Sequence, residues 1–136
     1  MIRIRGPDQA RRIDDPAIRR LVEQRFIDVC NGEPYDYDTH GEMIVVETGD
    51  TVDALEKQSG CSIVSNPFDD ARYGEPDFAP VCEALEEHAG CYEMVFIFTD
   101  DGFGISFFIP KHPGIDAELL AMCAQFAGPM PDQAAL

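Results

Sequence analysis

Two apolar runs near the C-terminal end constrain this chain more than any other feature. Tyr92-Glu93-Met94-Val95-Phe96-Ile97-Phe98 and Gly104-Ile105-Ser106-Phe107-Phe108-Ile109 flank Thr99-Asp100-Asp101-Gly102-Phe103. Asp suits the first bends of such a turn and Gly its left-handed position, so the pattern predicts an antiparallel hairpin with strands at about 91–99 and 103–109. Residues 94–98 are apolar at every position. A strand of that kind needs cover on both faces, which places it inside a sheet sandwiched by helices, or by a helix and a partner protein.

The remaining punctuation supplies those layers. Asp14 or Asp15 caps a helix with Pro16 in its first turn, Ile18, Leu21, Val22, Phe26, Val29 and Cys30 recur at helical spacing, and Asn31-Gly32 stops it. Glu33 to Glu42 reads as a polar loop, and Met43 to Glu47 as a buried strand. Asp50 is expected to cap a short helix through Ser59, followed by a strand over Cys61–Ser65, an acidic loop over Asn66–Pro76 and a helix over Asp77–Ala89. Asp53-Ala54-Leu55-Glu56 through Gly60-Cys61 matches Glu83-Ala84-Leu85-Glu86 through Gly90-Cys91, so the two stretches read as similar helix-then-strand units. Asp116 caps a last helix carrying Leu119, Leu120, Met122, Cys123 and Phe126, and residues 128–136 are expected to be a disordered tail. The expected fold is α+β: one domain over residues 1–136, with a mixed sheet of about four or five strands packed with three or four helices.

Charge sets the function classes. With 26 acidic against 10 basic residues the net charge is −16, which argues against nucleic-acid phosphate or anionic lipid as the main partner. The distribution is uneven. Residues 1–25 hold seven arginines against four acids, a local +3, whereas everything after them holds three cations against twenty-two acids, a local −19. The basic segment is expected to lie on the acidic body 26–127 or on a second copy of it, making a homodimer. The first residues lack the apolar stretch of a secretory signal, and the longest apolar run is too short to span a bilayer, so a cytoplasmic location with reduced thiols at Cys30, Cys61, Cys82, Cys91 and Cys123 is expected.

Candidate sites are few. Asp36-Tyr37-Asp38-Thr39-His40-Gly41 with Glu47 resembles the loop of an EF-hand, which would make Asp36, Asp38 and Glu47 ligands for calcium, although His40 puts nitrogen where that cation wants oxygen. An extended loop would put Asp36, Asp38, His40 and Glu42 on one side, which suits a transition metal. Cys82, His88 and Cys91, with Cys61, form a softer zinc alternative without the paired spacing of a zinc module. No nucleophile elbow or dinucleotide fingerprint occurs, and the pairs Asp69-Asp70 and Asp100-Asp101 belong to solvated turns. Three acidic groups remain: Asp36/Asp38/Glu42, Asp69/Asp70/Glu75/Asp77 and Glu83/Glu86/Glu87. The first two are interleaved with Tyr35, Tyr37, Phe68, Tyr73 and Phe78. Carboxylates beside exposed rings can steer and anchor a basic protein, so Asp36, Asp38, Glu42, Asp69, Asp70, Tyr73, Glu75 and Asp77 are the expected partner-binding residues of a non-enzymatic inhibitor, immunity or antitoxin-like protein, or of a nucleic-acid mimic.

Overall fold

The two apolar runs pair as their pattern predicts. A computed structural model describes residues 1–59, 81–82, 86–88, 90–97 and 104–127. Its elements are β1 (Ile2–Ile4), a 3₁₀ turn (Pro7–Arg12), α1 (Pro16–Cys30), α2 (Tyr37–His40), β2 (Glu42–Val45), α3 (Val52–Ser59), β3 (Val81–Cys82), β4 (Glu86–His88), β5 (Cys91–Ile97), β6 (Gly104–Pro110) and α4 (Ala117–Ala127). β5 and β6 are antiparallel from Cys91 opposite Pro110 to Ile97 opposite Gly104. The turn joining them lies outside the described residues, as do Cys61–Ser65, Asn66–Pro76 and the tail 128–136.

β6 pairs in parallel with β2, β2 pairs antiparallel with β1, and the far edge of β5 takes both β3 and β4. The sheet is therefore mixed and the fold α+β, with six strands among the described residues because two short ones share that edge. β1 is an addition to the expected set. Its Ile-Arg-Ile alternation turns Ile4 into the core and leaves the arginines on the opposite side.

Both faces of the sheet are buried. One packs Ile44, Met94, Phe96 and Phe107 against Val52 and Leu55 of α3 and Leu119 and Cys123 of α4. Phe96 and Phe107 meet edge to face at 5.9 Å. The other packs Met43, Val45, Cys91 and Phe108 against Ile18, Val22 and Phe26 of α1. A fully buried side chain of this size contributes about 1.5–3 kcal/mol relative to exposure, so β5 and β6 carry much of the core.

The helix ends follow local chemistry. The Asp15 carboxylate accepts from the Ala17 and Ile18 amides, and Asn31 closes α1 in the left-handed conformation at φ 48°. Asp116 does the same work for α4 through the Glu118 and Leu119 amides. At α3 the capping acceptor is the Thr51 hydroxyl, which takes the Ala54 amide, while Asp50 turns back to the Glu47 amide.

The expected helix over Asp77–Ala89 is overturned where it can be seen. Val81–Cys82 and Glu86–His88 are strands, with Glu86 opposite Glu93 and His88 opposite Cys91. Gly90, at φ 75°, lets the chain reverse in the tight space between His88 and Cys91. Pairing to the open edge of β5 outweighs the helix preference of Glu86 and Glu87. The likeness to Asp53–Cys61 is consequently one of sequence: α3 is a helix, whereas the described residues 86–88 of its counterpart are edge strand.

Cys30, Cys91 and Cys123 are buried free thiols. Burial pushes Cys91 and Cys123 up to about 12, above the usual 9.0. The thiolate is the reacting species, so at mildly alkaline pH these two should alkylate about a thousandfold more slowly than an ordinary cysteine. Mass spectrometry after timed iodoacetamide treatment checks this, with denatured protein as the reactive control. Labelling of Cys123 in native protein at the denatured rate would contradict it.

Candidate functional site

Three arginines of the first segment, Arg3, Arg5 and Arg25, end on two buried carboxylates. Arg3 and Arg5 lie beside the start of β2, where Glu42 is only 1% exposed. Arg3 Nη2 donates to Glu42 Oε2 at 2.6 Å and Arg5 Nε to Glu42 Oε1 at 2.7 Å, so each carboxylate oxygen holds one guanidinium. The Arg5 guanidinium also stacks over Tyr37 at 5.1 Å. Tyr35 donates its hydroxyl to the Gly41 carbonyl, and burial pushes that phenol up to about 12.

A second cluster spans α1, β4 and β5. Arg25 clamps Oε2 of Glu93, a carboxylate exposed by only 5% inside the central strand. On the other side of that carboxylate, Glu93 Oε1 lies 3.6 Å from His88 Nε2, which is itself 2.7 Å from Glu86 Oε1. Burial raises Glu93 above its usual 4.5, Glu86 adds to the rise, and Arg25 and His88 oppose it. Glu86 and Glu93 are directly opposed across the strand pair, an arrangement of like charges that is unfavourable without a cation between or beside them.

Two open concavities lie among the described residues. One, of about 490 Å³, runs along α1 and is lined by Phe26, Ile27, Cys30 and Tyr35 with Glu23 and Glu33 at its rim. Ile27 is 63% exposed, the most exposed large apolar side chain among the described residues. The other, of about 460 Å³, has Ile2, Ile13 and Ile18 in its floor and Asp14, Asp15 and Glu47 around it, beside His112. Among the described residues, neither has a lysine or arginine in its lining.

No protein-family model, curated protein or solved structure matches this chain. Function is therefore argued from these side chains. Among the described residues no helix is long and apolar enough to cross a membrane.

The EF-hand resemblance does not survive as a loop. Asp36 caps α2, its carboxylate accepting from the Thr39 amide and hydroxyl, and residues 37–40 form a helical turn. His40 is buried, with Nδ1 accepting the Asp36 amide at 2.9 Å, which leaves the hydrogen on Nε2. Asp38 is exposed on that turn, whereas Glu47 lies beyond β2 and pairs with the chain's amino group at 2.9 Å. Among the described residues, the metal-competent grouping is Glu86, His88 and Glu93, and Asp36, Asp38 and Glu47 do not converge.

The partner-binding set also divides. Asp36 and Asp38 are exposed, as expected of a contact surface. Glu42 is not available to a partner, because β2 buries it and two arginines occupy both its oxygens. Asp69, Asp70, Tyr73, Glu75 and Asp77 lie outside the described residues. Of the zinc alternative, Cys91 turns into the core and donates to the Tyr92 carbonyl, and Cys61 and the side chain of Cys82 lie outside the described set. Sequence reasoning overlooked Arg25 and Glu93. Their signals were present: a carboxylate in the middle of an apolar strand, and a cation three residues after Val22 on the inward stripe of α1.

Proposed function

We propose that this protein is a non-enzymatic binding protein that holds a basic protein partner, in the manner of an inhibitor or immunity protein, within the reducing cytoplasm. The observation that carries this is the α1 concavity, where an exposed Ile27 and an apolar floor are bordered by Glu23 and Glu33 with no cation among the described lining residues. A partner presenting an apolar anchor flanked by lysine or arginine complements it. Support also comes from the fate of the arginines. Arg3 and Arg5 are turned to Glu42 and Arg25 to Glu93, while Arg12 and Arg19 donate to the carbonyls of Arg3 and Ile13. The basic segment thus neutralises buried groups and leaves most of the surface acidity uncompensated. A second copy of the chain is the poorer occupant, since the apposed surfaces would share a sign.

Affinity capture from the source cells, run in parallel with wild type, Ile27→Asp and Glu23→Lys/Glu33→Lys, tests this. A basic protein retained by wild type should bind about tenfold or more weakly to either variant and weaken with added salt. Equal retention by wild type and both variants, or retention indifferent to salt, would overturn the assignment.

A further inference from the structure

We infer that Glu86, His88 and Glu93 form a binding site for a divalent transition-metal ion of the zinc type, independent of the partner surface on α1. Strand geometry brings the three together. Glu86 and His88 are two apart on β4, so their side chains share a face, and Glu93 is the cross-strand neighbour of Glu86 on that face. The three ligand atoms lie within 4.8 Å of one another. Donors at about 2.0–2.1 Å from a tetrahedral ion sit about 3.4 Å apart. The 3.6 Å between His88 Nε2 and Glu93 Oε1 already fits that spacing, and the 2.7 Å between His88 and Glu86 opens to it by a small side-chain rotation.

The surroundings favour an ion. Arg25 occupies only Oε2 of Glu93, so it fixes the carboxylate with Oε1 turned to the imidazole, which is how an outer-shell partner orients a ligand. One guanidinium is set against two directly opposed carboxylates, one of them buried, and a dication would remove the remaining like-charge repulsion. His88 and Glu86 keep side-chain exposures of 39% and 54%, which provides an entry path and a position for water as fourth ligand. One nitrogen and two carboxylates suit zinc and its neighbours better than calcium, which takes six to eight oxygens.

The test is calorimetric titration of chelator-stripped protein with zinc in excess magnesium, alongside His88→Ala and Glu86→Ala. One ion per chain is expected, with affinity falling about a hundredfold or more in either variant, since a direct ligand should matter at least as much as an outer-shell partner. Both replaced side chains face solvent, and melting curves without metal establish that the variants are folded. Cobalt should give a tetrahedral visible spectrum lacking a thiolate charge-transfer band. No zinc binding under excess magnesium, undiminished affinity in both variants, or a thiolate band pointing to the cysteines would each overturn the inference.

Discussion

Gly41→Ala is expected to destabilise the protein by about 3 kcal/mol or more, because a strained backbone and a clash add together. Gly41 joins α2 to β2 at φ 79° and ψ −154°, a region open in practice only to glycine. A Cβ built there would stand 1.9 Å from the Gly104 carbonyl oxygen and 2.7 Å from its amide nitrogen. Those are backbone atoms at the start of β6, so no rotamer can yield; relief requires β2 and β6 to separate where Glu42 pairs with Ile105. Thermal melting should show a loss of about 10 °C or more for a domain of this size. Gly32→Ala, at φ 86° with nothing near the new methyl, isolates the conformational part and should cost clearly less. Equal losses in the two variants would show that the contact with Gly104 is not what requires glycine at position 41.

The same pair of strands shows where sequence reasoning reaches. α1 was legible at both ends because Asp15, Pro16 and Asn31 act within one turn of themselves, and β5 and β6 because a run apolar at every position has few places to go. β4 was not legible. Glu, Glu and His carry no strand preference, and their conformation is set by the open edge of β5, which only the assembled sheet presents. The site residues divide the same way. Exposed Asp36 and Asp38 could be proposed from composition, whereas the role of Glu93 depends on Arg25, sixty-eight positions earlier, and that of Glu42 on Arg3 in edge strand β1 and Arg5 just after it. The uneven charge map did contain a clue. A short basic segment ahead of an acidic body is what a chain needs if buried carboxylates in its sheet are to be paired on folding.

Arg3→Met/Arg5→Met should expose that dependence as the second large effect, about 3–5 kcal/mol near neutral pH. The cost does not reside in the arginines, whose side chains are 28% and 47% exposed and partly screened by water. It resides in Glu42, which at 1% exposure would be left as a buried carboxylate with no counter-charge. Urea denaturation at neutral pH reads the loss directly. Adding Glu42→Leu should recover much of the stability, because an apolar side chain replaces the stranded charge. A double variant as stable as wild type at neutral pH would mean that β2 opens Glu42 to water, and the basic segment would then be free to meet other carboxylates.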